Sequence, residues 1–168
     1  MKASVIVIDY KRKKYILDAL KSIKNQKGID LNDIEVIVVK YYQDEKIDNY
    51  IKENFPNHKI INLDPDDPDH YIGRTFSEGI KAASSNLIFL LEDDDMFVEN
   101  KISRIFEIVK NIKYDEYIIF NKAILIDQTG KPLKNLRHKY ILNNSSITLY
   151  IDYHLVSFLT FVYYVYHV

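Results

Sequence analysis

Apolar residues along this chain fall into two recurring patterns, short unbroken runs and stripes spaced three and four apart. The runs are Val5-Ile6-Val7-Ile8, Val36-Ile37-Val38-Val39 and Leu87-Ile88-Phe89-Leu90-Leu91, while Lys59-Ile60-Ile61-Asn62-Leu63 reads as a third, shorter strand between the last two. Apolar runs of this length, without polar alternation, predict strands buried on both faces. The stripes between them predict amphipathic helices. Ile16, Leu17, Leu20 and Ile23 make the first, which leaves through a loop at Gly28 and Asn32. Ile47, Tyr50 and Ile51 make the second, which must stop before Pro56. Gly73 and Gly79 flank a short third helix that turns Phe76, Ile80 and Ala83 inward. Ile102, Ile105, Phe106, Val109 and Ile112 make the fourth. Asp64 to His70 holds prolines and aspartates and reads as a loop. Strand and helix therefore alternate, which predicts an α/β fold: three layers, α/β/α, around a mostly parallel sheet.

The pattern changes beyond Tyr114. Tyr117-Ile118-Ile119-Phe120 and Ala123-Ile124-Leu125-Ile126 read as strand, and Thr129-Gly130-Lys131-Pro132 as a turn, with Tyr140-Ile141-Leu142 beyond. A hairpin, a short antiparallel addition near the C-terminus, is expected there. The tail from Leu155 to Val168 is almost wholly apolar and aromatic. It is shorter than the roughly 20 residues of a membrane-spanning helix. Packing within the protein is the expectation, and contact with a membrane or partner protein the alternative. No linker or repeat interrupts residues 1–168, so one domain is expected.

Composition narrows the function classes. The chain of 168 residues can bury a core of its own. A net charge of −1 argues against a broad nucleic-acid footprint. The absence of cysteine excludes disulfides and thiolate metal sites. Met1-Lys2-Ala3-Ser4 leads into only four apolar residues, which does not read as a signal peptide. A cytoplasmic protein, at most peripheral to a membrane, is the expectation. The five histidines are scattered without zinc spacing. The overlapping sequons in Asn143-Asn144-Ser145-Ser146 read as a polar turn, and the basic run Lys11 to Lys14 as solvated or phosphate-contacting.

The chemistry concentrates where the last run meets Glu92-Asp93-Asp94-Asp95. Adjacent carboxylates repel one another and lose hydration at a strand end. Their oxygens suit a hard cation such as Mg²⁺ or Mn²⁺ and, through it, a phosphate-bearing ligand. In open α/β sheets ligands sit beyond the carboxyl ends of the strands, where these acids fall. The competing reading is a solvated acidic turn that caps the next helix.

Three segments, taken in order, resemble the family 2 glycosyltransferases, which have the nucleotide-diphospho-sugar transferase (GT-A) fold. Ser4 to Arg12 is similar to that family's opening strand and its Pro-Thr-Tyr-Asn-Arg turn. Gly73 through Gly79-Ile80-Lys81-Ala82-Ala83 resembles the helix before the metal strand. Leu87 to Asp95 resembles that strand with its Asp-x-Asp-Asp signature. The likeness covers residues 1–112, which it makes the nucleotide-sugar-binding half; residues 113–168 would be a short acceptor-side half. It implies transfer of a sugar from a nucleotide-diphospho-sugar to a hydroxyl of a glycan, lipid or protein, with Mn²⁺ or Mg²⁺ and inversion at the anomeric carbon.

Carried over by position, the resemblance makes Asp94 the principal metal ligand, with Glu92 and Asp95 beside it. Asp9 and Tyr10 would cradle the base, with Arg12, Arg74, Glu92 and Asp93 also facing the donor. The second strand departs from the family: Lys40-Tyr41-Tyr42-Gln43 replaces Asp-Asp-Gly-Ser, leaving Tyr41 to stack on a base. The family's general base lies downstream of the metal motif, where the candidates are Asp115, Glu116, Asp127 and Asp152. Asp115 and Glu116 open a strand, remote from the site, and Asp127 adjoins a turn. Asp152 is the remaining candidate, and a surface carboxylate at a strand end is the competing reading. These departures also support an alternative, a glycosyltransferase-like module that binds donor or partner without turnover. A nucleotidyltransferase on the same layers would need a glycine-rich phosphate loop, which the first turn lacks.

Overall fold

Each of these four segments is a strand: β1 (Ala3–Asp9), β2 (Ile34–Lys40), β3 (His58–Asn62) and β4 (Leu87–Glu92). Between and after them come α1 (Ile16–Lys24), α2 (Glu45–Asn54), α3 (Ile72–Ala82) and α4 (Lys101–Val109). Two further strands follow, β5 (Ile118–Phe120) and β6 (Phe161–Tyr164). The computed structural model describes residues 3–10, 13–68, 71–113, 117–121, 124, 126–132 and 161–164.

The sheet runs in the order β3-β2-β1-β4-β6-β5. β1 pairs in parallel with both β2 and β4, and β2 in parallel with β3. β6 pairs antiparallel with β4, Leu87 opposite Tyr164. Every residue of β1 and β2 is buried, as unbroken apolar runs require. Side-chain alternation sorts the core into two layers. Val5, Val7, Val36, Val38, Phe89 and Leu91 face α1, α2 and α4, whose Ile16, Leu20, Ile47, Ile51, Ile102 and Ile105 pack onto them. Ile6, Ile8, Ile37, Val39, Ile88 and Leu90 face α3 through Phe76 and Ile80. The chain thus lays β1, β2 and β3 outward in one direction, then returns past β1 to lay β4 on its other side. That reversal falls between β1 and β4.

The third helix differs from the sequence expectation. Gly73 stands in the first turn of α3, as expected, but Gly79 lies inside the helix rather than at its end. A glycine costs roughly 1 kcal/mol in a helix interior, but here close packing needs one. A Cβ on Gly79 would lie 2.4 Å from Ile6 Cγ2 of β1, so the absent side chain lets α3 seat on the sheet.

At the amino-terminal edge of the strands, buried Glu35 ties sheet and helix together. Its carboxylate accepts from Ser4 Oγ (2.8 Å), the Ser84 N–H (2.9 Å) and Ser84 Oγ (3.0 Å). Lys59 Nζ pairs with it at 2.8 Å and also donates to the Ala82 carbonyl at the end of α3. Past β4, the connection to α4 is held by α1 and the residue just beyond it. The Phe97 N–H donates to Ser22 Oγ (3.0 Å), and Gln26 Nε2 donates to the Val98 carbonyl (2.7 Å). Gln26 Oε1 accepts the Ile102 N–H at 2.9 Å. Asn100, at the N-cap of α4, makes no side-chain capping bond, so Gln26 satisfies a buried first-turn donor from another element.

By contact density the chain divides into two units, Met1–Ile119 with Phe161–Val168, and Phe120–Thr160. In the second, Ile126 bridges Pro132 across a turn whose Gly130 takes φ +78°. Ala123, Leu125 and Tyr140-Ile141-Leu142 of the expected hairpin lie outside the described residues, as does the apolar tail apart from β6. Among the described residues no helix is long and apolar enough to cross a membrane.

Two stability measurements follow. Burial alone would raise the Glu35 carboxyl, but Lys59, Ser84 and Ser4 outweigh it and hold it below its ordinary 4.5. A carboxyl held lower in the folded state stabilises fully above the unfolded value and loses that contribution as pH falls through the folded one. Glu35→Gln should therefore cost about 2 kcal/mol in urea unfolding near pH 7, with the gap to the unaltered chain narrowing below about pH 4.5. Gln26→Leu keeps the volume and strands the Val98 carbonyl and Ile102 N–H. It should cost about 2 kcal/mol and speed amide exchange at Phe97 to Ser103, leaving β1 and β2 protected.

Candidate functional site

The carboxyl ends of β1 and β4 lie side by side at the reversal of strand order, where such sheets form a crevice. Ile8 is in register with Glu92, so Asp9 leaves β1 beside the point where Asp93 leaves β4. In the other direction Asp9 is in register with Lys40, and Lys40 with Asn62. One polar level thus crosses three strands directly above the apolar core. Pairing at one level places Asp9, Lys40 and Asn62 on the same face, the one covered by α1, α2 and α4.

The acids separate by environment. Asp93 is buried at 1% exposure, Glu92 and Asp95 are half-buried, and Asp94 is exposed. The Asp95 N–H donates to the Glu92 carbonyl (3.2 Å), closing a tight turn that leaves Asp94 open to solvent. Burial pulls the Lys101 amine down to about 8, with the negative charge of Asp95 acting against it. Among the described residues no group of three Asp, Glu, His or Cys could hold a metal ion. A divalent ion here would need one or two of these carboxylates together with ligand phosphates, a coordination that suits Mg²⁺. The hard oxygen donors of Asp94 and its neighbours fit that requirement.

The aromatic side of the site is arranged differently from the expectation. Tyr41 is 2% exposed, and its ring meets Tyr10 edge-on with centroids 5.6 Å apart. As folded it has no free face on which a base can stack. Tyr10 is half-buried and Tyr41 buttresses it. The reason is the bend after β2, which turns Tyr41 back into the structure instead of outward. Lys13 ties the two loops together, lying 4.3 Å from the Tyr42 ring centroid and 3.8 Å from Asp44. Asp44 caps α2, its carboxylate accepting from the N–H groups of Lys46 and Ile47. Arg74, in the first turn of α3, pairs with Asp67 of the acidic loop. Arg12 and Asp152 lie outside the described residues, with Asp115 and Glu116. Asp127 is a turn residue: its carboxylate accepts from the Thr129 hydroxyl and N–H and the Lys131 N–H, bonds that hold it below the ordinary range.

Lys40 was not a sequence candidate. It is wholly buried at the end of β2, with Nζ donating to the Tyr42 carbonyl (2.7 Å) and Asn62 Oδ1 (2.8 Å), and 3.1 Å from Asp48 Oδ1. The signal was available, since a cation directly after Val36-Ile37-Val38-Val39 must be buried with its strand and therefore paired. No such signal marked Gln26, which bonds the Ser22 carbonyl nearby and two backbone groups 72 and 76 positions away. The groove lined by Leu17, Lys46, Asn49, Tyr50 and Glu53 lies between α1 and α2, on other residues than these.

Comparison with curated protein sequences finds no match. Among solved structures, S. aureus TarS 1-349 superposes with a TM-score of 0.57 at 24% identity, over 70% of this chain and 34% of that one. Its complex with UDP gives 0.57 at 22% identity, over the same 70% and 34%. Its complex with UDP-GlcNAc gives 0.56 at 23%, over 70% and 33%. The present chain thus spans about a third of that fragment, and 20% of the longer TarS structure. The likeness establishes the shared α/β fold. The sequence model for glycosyl transferase family 2 matches residues 4–164, from the start of β1 to the end of β6. With that match running almost the whole length, the chain belongs to glycosyl transferase family 2.

Proposed function

We propose that this chain binds a nucleotide-diphospho-sugar at the β1–β4 edge and transfers its sugar to an acceptor hydroxyl. The observation that carries the reading is the convergence of Asp9, Tyr10 and the Glu92–Asp95 turn at the reversal of strand order in a family 2 chain. The complexes of TarS with UDP and UDP-GlcNAc support a nucleotide donor of this class.

In this reading Tyr10 forms one wall of the nucleoside pocket, held from behind by Tyr41. Asp9 and Asp93 supply acceptors at its floor, and Arg74 and Arg12 face the donor. Asp94 would hold Mn²⁺ or Mg²⁺, with Glu92 and Asp95 beside it. When bound, such an ion supplies Lewis-acid neutralisation of the leaving diphosphate. Asp152 takes the proton of the acceptor hydroxyl as it attacks the anomeric carbon, which inverts in a single displacement. The acceptor is a glycan, lipid or protein hydroxyl.

One observation favours a second reading. The wholly buried Lys40 stands at the end of β2 where the family carries an acid, which suits a module that binds without turnover. Transfer assays separate the two: sugar release to an acceptor in the presence of Mn²⁺ supports the enzyme, and nucleotide binding without it supports the module.

Asp94→Ala tests the site itself. Asp94 is exposed, so the thermal midpoint should not move. Calorimetric affinity for UDP in Mn²⁺ should fall more than about tenfold. Equal UDP affinity with and without Mn²⁺ in the unaltered chain would rule out a metal-bridged donor.

A further inference from the structure

A fully buried lysine is uncommon and needs partners for every donor. Lys40 donates two hydrogen bonds, to the Tyr42 carbonyl and Asn62 Oδ1, and its charge is paired with Asp48 at 3.1 Å. Its effect lies in what it joins. Asn62 ends β3, Asp48 lies in α2, and Tyr42 lies in the bend after β2. Because Nζ returns to the carbonyl two residues ahead, Lys40 closes a small loop with Tyr41 inside it. Tyr41 is thereby fixed at 2% exposure with its ring edge against Tyr10. On the same bend, the Tyr42 ring takes Lys13 at 4.3 Å and Lys40 at 5.3 Å from its centroid.

We infer that Lys40 is a positioning residue for the nucleoside end of the donor site: by closing the bend at Tyr42 against Asn62 and Asp48, it sets Tyr41 and, through Tyr41, the ring of Tyr10 that takes the base. This rests on the donor-site reading above and adds a division of labour to it. The connection that follows the Glu92–Asp95 turn is held at Phe97 and Val98 by Ser22 and Gln26, so the support on that side does not pass through Lys40. Loss of the lysine disturbs recognition of the base and leaves recognition of the phosphates intact.

The test compares the unaltered chain with Lys40→Met by calorimetry in Mn²⁺, using UDP, GDP and inorganic pyrophosphate as probes. The methionine keeps most of the stem and removes the donors. Affinity for the preferred nucleotide should fall about tenfold, the size of one lost aromatic stacking contact, and preference between UDP and GDP should shrink. Pyrophosphate affinity should stay within about twofold, since the support on the acidic-turn side does not pass through Lys40. Should Lys40→Met not melt cooperatively, the pair Lys40→Met with Asp48→Asn is read instead, because it leaves neither charge unpaired. An equal loss for nucleotide and pyrophosphate would reduce Lys40 to general structural support and overturn the inference. Unchanged nucleotide affinity and preference would also overturn it. An unaltered chain that binds pyrophosphate but neither nucleotide refutes the nucleoside pocket, and one that binds no probe refutes the donor site as a whole.

Discussion

Everything at the acidic edge depends on the parallel pairing of β1 with β4. These strands are far apart in sequence, and each begins a different direction of travel across the sheet. Their register, Ile8 against Glu92, fixes where Asp9 and the four acids emerge. A shift of one residue in β1 would turn Asp9 to the face under α3 and point Ile6 and Ile8 away from that helix. The apolar sides prevent that shift. Ile6 and Ile8 must meet α3, and Val5 and Val7 must meet α1, α2 and α4. Gly79 tightens the constraint, since α3 approaches Ile6 too closely for any other residue.

Around that pairing, polar groups brace the two edges of the sheet differently. At the amino-terminal edge Glu35 gathers Ser4, Lys59 and Ser84 into one network that joins three strands to the end of α3. It faces away from the site and explains no chemistry. At the carboxyl edge Lys40 and Gln26 each hold a loop in place. Both are buried and make their hydrogen bonds inside the protein, Lys40 under the bend that carries Tyr41 and Gln26 under the connection from the acidic turn to α4. Half-buried Tyr10 thus rests on Tyr41, which is itself closed to solvent.

Much of this was legible in the sequence because burial on both faces leaves a simple mark. Val5–Ile8, Val36–Val39 and Leu87–Leu91 could be read as central strands since nothing polar interrupts them. The acids were legible for the same reason: polarity that begins abruptly at a strand end stands out. Asp127 was legible as a turn residue from Gln128-Thr129-Gly130, and its hydrogen bonds are those of a turn. What escaped was set by tertiary contact. Helix propensity placed Gly79 at the end of a helix, whereas packing against Ile6 required glycine within it. Aromatic character offered Tyr41 as a stacking surface, whereas the closure of the bend by Lys40 turned its ring inward. The capping role of Gln26 joins α4 to a residue just beyond α1 and leaves no local trace.

The central claim is that the β1–β4 edge is where a nucleotide donor sits. A crystal structure of the chain with UDP and Mn²⁺ tests it most directly. The account predicts nucleotide density across the ends of these two strands, with the base against Tyr10, the diphosphate beside Asp94 and the backbone of the acidic turn unmoved. Density confined to another surface, such as the groove between α1 and α2, would contradict it.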